Sequence, residues 1–303
     1  MYFNTTGLKK TGSFGGISSI SMKARAKINL SLDITGKRSD GYHNIKTIMQ
    51  TIDLHDNLAI EIINEGIELE CNSSEVPCNN KNIAYRAAEL FLNKYGNKYG
   101  IKYGVKIKIE KNIPVAAGLA GGSTDAAAVL IGMNKLFDCK IDMDELMSTG
   151  KLLGADVPYC IRGGTVLAEG IGDVLSELAA IPKSYIVLIV PKIHVSTKCV
   201  YENFDFNKVN KRPDTDLLIS AVNKGDIRIL AENMVNVLET VTAEKFSIIN
   251  ELKQKLKYLG ALGSLMSGSG PAVFGIFTDR ISADMAYHKM KCNDYHLFVT
   301  ETT

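Results

Sequence analysis

The stretch from Pro114 to Ala128, PVAAGLAGGSTDAAA, restricts the fold more than any other part of the chain. Before it, Val105-Lys106-Ile107-Lys108-Ile109-Glu110 alternates apolar and polar residues, the period of a half-buried strand. After it, the Ala-rich segment Ala126–Phe137 reads as a helix. Between the two lie glycines and small side chains, so the backbone can approach a ligand with no Cβ in the way. A helix starting near Ser123 aims its free N–H groups and the positive end of its dipole into the loop. That is the construction of an anion site, with phosphate its usual occupant; the alternative is a glycine loop that only turns tightly into a helix. It is not a Walker A loop, because G-x-x-x-x-G-K-[ST] is absent, and it is not the dinucleotide fingerprint G-x-G-x-x-G.

With 303 residues the chain has room for two domains, each with its own core. Apolar content of 46% and charged content of 22% are those of a globular protein. The net charge of +2, with both signs interspersed, gives no basic stripe for nucleic acid and no membrane-binding face. No apolar run is long enough to span a bilayer. Six cysteines, none in a C-x-x-C pair, read as small buried residues in a reducing compartment, so the expected location is the cytoplasm.

Residues 1–21 are rich in Gly, Ser and Thr and read as a leader or disordered extension, with Met22 a plausible natural start. From Lys23 to Ile34 the chain alternates, placing Lys27 and Asn29 on the polar face of a strand. That face is either solvated or lines a cleft; spacing does not decide. The turn Gly36–Gly41 leads to Tyr42-His43, then to strands over Ile45–Leu54, Leu58–Ile63 and Ile67–Cys71 and a helix over Ile83–Tyr95. Asp142 caps a helix expected to stop at Gly154, which sets the carboxylate of Asp156 just beyond its end. Two short strands flank Gly170-Ile171-Gly172, and a domain boundary falls near Ala180–Lys183. The second half begins with a buried strand, Tyr185–Val190, followed by helical patterns over Thr197–Phe204, Thr215–Val222, Ile227–Leu238 and Ala243–Tyr258. A second glycine-rich turn, Gly263–Pro271, a strand at Ala272–Phe277, a helix at Ser282–Met290 and a strand at His296–Thr300 complete it. Hairpin-like pairs in the first half favour α+β over a doubly wound fold. His55, His194, His288 and His296 read as structural or exposed, and nothing marks Cys160 as a nucleophile.

Three separated motifs resemble those of the galactokinase, homoserine kinase, mevalonate kinase and phosphomevalonate kinase (GHMP) superfamily, in its order. They are the Lys27/Asn29 strand, the Gly118–Ser123 loop, similar to P-x3-G-L-x-G-G-S-[ST], and the turn Ser267-Gly268-Ser269-Gly270-Pro271. Two further runs, Thr35-Gly36-Lys37-Arg38-Ser39-Asp40-Gly41-Tyr42-His43 and Gly154-Ala155-Asp156-Val157-Pro158, resemble one branch, whose substrate is a cytidylylated methylerythritol. The resemblance runs from Met22 onward. It implies an α+β fold of two domains, an ATP-binding domain like domain 2 of ribosomal protein S5 (22–180) and a ferredoxin-like C-terminal domain (181–303), with the active cleft between them. It also implies ATP-dependent phosphorylation of the substrate's 2-hydroxyl in non-mevalonate isoprenoid synthesis.

On that resemblance, Pro114, Ala116, Ala117, Gly118, Leu119, Ala120, Gly121, Gly122, Ser123 and Thr124 form the ATP site. The Ser123 and Thr124 hydroxyls reach phosphate or Mg²⁺, and the metal rides mainly on the ATP phosphates and water. Asp156 accepts or orients the attacking hydroxyl's proton, and Lys27 neutralises the transferring group. Asn29 orients the substrate or Lys27. Tyr42 and His43 read the cytosine by stacking and hydrogen bonding, and Tyr201 closes the sandwich or is simply a core aromatic. Ser267, Gly268, Ser269 and Gly270 close over a phosphate or serve as an ordinary hairpin connection. Asp125 departs from the Asn common at its position; it suits the helix dipole but repels a phosphate, unless it faces away or helps hold Mg²⁺. Homoserine or mevalonate phosphorylation is the rival within the superfamily, and RNA binding on an S5-like fold the rival outside it. Oligomeric state leaves no trace in such a pattern.

Overall fold

A computed structural model of the chain describes residues 5–10 and 17–303, residues 5–10 and Ile17 by backbone alone. In chain order the elements are β1 (Thr5–Lys10), β2 (Ile17–Lys37), β3 (His43–Ile63), β4 (Ile67–Cys71), α1 (Ile83–Tyr99), β5 (Gly104–Glu110) and α2 (Gly121–Leu136). There follow α3 (Met143–Lys151), α4 (Val157–Arg162), β6 (Thr165–Glu169), β7 (Val174–Glu177), β8 (Tyr185–Pro191), α5 (Thr197–Glu202), α6 (Thr215–Lys224) and α7 (Ile227–Glu232). The last are α8 (Glu239–Lys245), α9 (Ile248–Tyr258), β9 (Gly263–Met266), β10 (Val273–Phe277), α10 (Arg280–Met290) and β11 (Tyr295–Glu301). No helix among the described residues is long and apolar enough to cross a membrane.

The chain divides into two compact units assembled from interleaved segments rather than from its two halves. The first holds residues up to Ala26, Leu54–Val115 and Ala120–Gly163; the second holds Lys27–Asp53, Ala116–Leu119 and Gly164–Thr303. In the first unit the end of β3 pairs antiparallel with β5, and β5 pairs parallel with β4. Helices α1 and α2 pack together there, with α3 and α4 beside α2. Phe91, Tyr95, Ile107, Val129, Leu130 and Met133 are buried in this core, each such side chain worth roughly 1.5–3 kcal/mol of hydrophobic stabilisation.

In the second unit the start of β3 pairs with β6, and β6 with β7. A separate antiparallel sheet has the order β11-β8-β10-β9, the fourth, first, third and second strands of that region. With α10 between β10 and β11, this is the ferredoxin-like arrangement expected for the C-terminal part. Leu252 and Leu256 of α9 and Ala283, Ala286 and Met290 of α10 share one core with Val187, Ile189, Val273 and Phe277 of this sheet. The fold is α+β.

Several boundaries differ from the sequence reading. Residues 1–4 and 11–16 of the expected leader lie outside the described residues, but Thr5–Lys10 is a strand paired with β2, which itself begins at Ile17, before Met22. The two strands read over 45–63 are one, because Asn57 continues the pairing with Glu110 where the polar run His55–Asn57 suggested a break. The helix expected over Ile227–Leu238 stops at Glu232. Leu32 of β2 takes up the next backbone instead, donating to Val235 O (2.9 Å) and accepting from Val237 N (2.9 Å). Gly263–Met266, read as part of a turn, pairs with β10. Helix α3 ends before Gly154, and Val157–Arg162, not foreseen, is helix α4.

Candidate active site

Lys27 and Asn29 stand on the polar side of β2, yet they are only 5% and 2% exposed, so this side of the strand is not a solvated face. Lys27 Nζ donates to Asn29 Oδ1 (2.8 Å) and to the carbonyl of Gly118 (3.3 Å). Asn29 Nδ2 donates to Thr47 Oγ1 (2.8 Å), which in turn donates to Ser31 O (2.5 Å). A buried ammonium needs such oriented dipoles, because the interior supplies no water in their place. The row fixes both the reach of Lys27 and the flip of Asn29. Thr47, on the adjacent strand, carries no motif and was not foreseen.

The same unit brings the glycine-rich loop against the second glycine turn. Ser267 Oγ donates to Gly118 O (3.0 Å) and accepts from Asn29 N (3.3 Å), while Lys27 N donates to Leu119 O (3.1 Å) and Ala272 N to Ala117 O (3.1 Å). Gly118 has φ +81°, and a Cβ there would lie 2.3 Å from the carbonyl oxygen of Ser267, so no other residue fits. The turn is a hairpin connection, but a buried and clamped one. Asn236 Nδ2 donates to Met266 O and Gly268 O (2.8 Å each), Thr242 Oγ1 to Ser269 O (3.0 Å), and Thr197 Oγ1 shares a hydrogen with Ser269 Oγ (2.9 Å). Asn236 and Thr197 escaped the sequence reading because each falls in a stretch read simply as helix, and Thr242 because it falls between two such stretches.

Along the loop, Ala116 (φ 54°), Gly118 (φ 81°) and Ala120 (φ 59°) alternate in the left-handed region. Alternation of this kind turns successive N–H groups to one side, making an anion nest. Helix α2 starts at Gly121, two residues earlier than expected, with Ala120 as a cap that makes no side-chain bond. Its first intrahelical bond is Thr124 N to Ala120 O (2.9 Å), so the N–H groups of Gly121, Gly122 and Ser123 have no intrahelical acceptor. Thr124 Oγ1 is buried with no hydrogen-bond partner in the structure.

Asp125 does not face the loop. In the first unit its Oδ2 accepts from Lys111 Nζ (2.8 Å), which also donates to Asp56 Oδ2 (2.5 Å). Burial pushes the Asp125 carboxyl up to about 8, against the opposing pull of Lys111. Asp156, also of the first unit, is the N-cap residue of α4 and holds that helix's first turn through its own carbonyl, which accepts from Cys160 N (2.9 Å). Among the described residues no cluster of three or more His, Cys, Asp or Glu side chains is arranged to hold a metal ion.

Of the three aromatics, the structure brings two together. His43 and Tyr201 stack obliquely with ring centroids 5.7 Å apart, and Tyr201 also packs against the core of its unit. Tyr42 is 60% exposed. Its loop is tied by Arg38, whose guanidinium forks onto Asp40 (2.9–3.2 Å), and by Arg38 N donating to Tyr42 O (2.8 Å). Burial, with Lys37 adding to it, holds the His43 imidazole below its ordinary range, so it is neutral at pH 7.

Comparison with known proteins gives the class, a phosphotransferase. The family described as GHMP kinases, N terminal domain, matches residues 82–164, and GHMP kinases, C terminal, matches residues 218–296. The chain belongs to the GHMP kinases, ATP-dependent enzymes that phosphorylate small molecules. Particular relatives narrow the comparison. The chain is 54% identical over 286 residues (94% of this chain, 100% of the relative) to a protein of Acetivibrio thermocellus named 4-diphosphocytidyl-2-C-methyl-D-erythritol kinase. A Clostridium botulinum protein of the same name is 51% identical over 281 residues (93% and 99%). A crystal structure of a 4-(cytidine 5'-diphospho)-2C-methyl-D-erythritol kinase matches at 31% identity with a TM-score of 0.79, over 93% of this chain and 98% of that one. Homoserine kinase from Cytophaga hutchinsonii shares the fold, with a TM-score of 0.75 at 19% identity over 98% and 97% of the two chains.

Proposed function

We propose that the chain transfers the γ-phosphoryl group of ATP to the 2-hydroxyl of 4-diphosphocytidyl-2-C-methyl-D-erythritol, in the cytoplasm, as a step of non-mevalonate isoprenoid synthesis. The observation that carries the substrate is the name borne by relatives 49–54% identical over more than nine-tenths of the chain. The N–H groups of residues 116–123 hold the phosphates, and the unpartnered Thr124 hydroxyl suits a phosphate oxygen. Such a cradle fits a metal-bearing triphosphate. Mg²⁺ is held chiefly through the phosphates, and when bound it neutralises their charge.

The substrate hydroxyl oxygen attacks the γ-phosphorus in line while the bond to the bridging oxygen breaks, and ADP leaves with that electron pair. Asp156 takes the hydroxyl proton. Lys27, held by Asn29 and Gly118, meets the charge that spreads over the transferring group. His43 offers a neutral imidazole to the cytosine edge with Tyr201 beside it, and Tyr42 covers the base from the exposed turn. Ser267, Gly268, Ser269 and Gly270 back the loop and border the substrate's diphosphate.

ADP formation from Mg·ATP and the cytidylylated substrate tests this, comparing wild type with Asp156→Ala. The expected outcome is wild-type turnover that falls on the order of 10²–10⁴-fold in the variant, with binding of the cytidine substrate retained. Turnover on homoserine or mevalonate alone would keep the family and overturn the substrate.

A further inference from the structure

Lys111 lies just past the end of β5, three residues before Pro114, and plays no part in the chemistry above. Its ammonium is buried with both carboxylates it touches: the side chains of Lys111, Asp56 and Asp125 are 6%, 0% and 4% exposed. Asp56 reaches further, its Oδ1 accepting from the backbone N–H groups of Asn112 (2.6 Å) and Ile113 (2.8 Å). These are the last residues before the glycine-rich loop. Asp125 sits in the first turn of the helix that leaves it, and a Cβ on Gly121 would lie 3.0 Å from Lys111 Nζ and 3.1 Å from Ile113 Cγ2. Chain entering the loop and chain leaving it thus meet at one buried ammonium.

We propose that Lys111 is a positioning residue for nucleotide binding, fixing both ends of the glycine-rich loop through Asp56 and Asp125 so that its N–H groups are set before ATP arrives. The proposal rests on the reading of that loop as the phosphate cradle. Three buried ionisable groups are a poor source of net stability, since desolvation offsets most of their attraction. What they supply is fixed geometry, and a cradle of backbone dipoles binds well only when it need not reorganise. The cluster is also electrically compatible with a neighbouring anion. Burial raises the Asp125 carboxyl to about 8, against the opposing pull of Lys111, which lessens the negative charge the cluster sets beside an anion. The Cys71 thiol of β4 also interacts with Asp125, and burial raises it as well.

The test is calorimetric titration of Mg·ATP into the full chain, which needs no knowledge of the alcohol substrate, with melting curves alongside. Lys111→Met is expected to raise the Kd for ATP at least tenfold, and in the kinetic assay to raise KM for ATP while KM for the alcohol moves less than threefold. Asp125→Ala cuts only the arm to the helix and decides the matter should Lys111→Met not fold; it too is expected to weaken ATP, with Asp125→Asn recovering most of the loss by restoring the acceptor. Variants that melt earlier but bind ATP within twofold of wild type would overturn the proposal and reduce the cluster to a structural one. Wild-type chain that binds no ATP would overturn the reading of the loop itself, whatever the variants do.

Discussion

Burial raises the Asp125 carboxyl well above the ordinary carboxylate range, and this has a pH signature. Its folded pKa, about 8, lies above the ordinary value of 3.8, so between those values the folded chain binds more protons than the unfolded one. Stability contributed by this group is complete below the lower value and is lost as pH rises through the window. Asp125→Asn, which mimics the neutral acid, is therefore expected to melt progressively higher relative to wild type from pH 4 to pH 8; melting temperatures of both across that range check it. His43 runs the other way: its folded value is lowered, so protonation at acid pH opposes the folded state. Affinity for the cytidine substrate is expected to fall as pH drops below the ordinary imidazole range, and less steeply in His43→Asn, as titration calorimetry at several pH values would show. Not all of this is written in the residues themselves. Alternation put Lys27 and Asn29 on one side of a strand, but only the packing of Thr47 and Ser267 shows that side to be buried. Asp125 likewise reads as a helix-start acid until Lys111 and Asp56, both distant in sequence, are brought beside it.

At the level of elements, the glycine-rich loop was the most legible part of the chain, because glycine and small residues between a strand and a helix leave few other conformations. Its detailed path was less so. Alanines at 116 and 120 adopt the left-handed conformation that glycine usually fills. Gly118→Ala meets both that conformational penalty and the Ser267 carbonyl, and is expected to lose ATP binding by tenfold or more in the same titration, with a lowered melting temperature. The helix foreseen over 227–238 fails for a comparable reason. Its second half has helical spacing, but Leu32 offers its backbone groups a partner more than 200 positions away, and a local pattern carries no record of that.

For the molecule as a whole, ligand binding and stability are linked: ATP at about 100 times its Kd adds about 2.7 kcal/mol to the folded state. A thermal melt with and without Mg·ATP is expected to show a rise of several degrees in wild type and about half that rise or less in Gly118→Ala. Fold class was legible from the order of strands and helices, whereas the ferredoxin-like C-terminal sheet was expected only from the family resemblance. The make-up of the two compact units was not, because β2 and β3 each contribute one end to either unit and no composition change marks the places where they do so. That interleaving also sets a timetable. Thr47–Gln50 pair with Thr165–Ala168, so this edge of β3 leaves the ribosome long before its partner exists. At ~5–20 residues per second the wait is roughly 6–25 s. Throughout it, a nascent strand with open backbone groups has to be shielded by the ribosome surface or by chaperones.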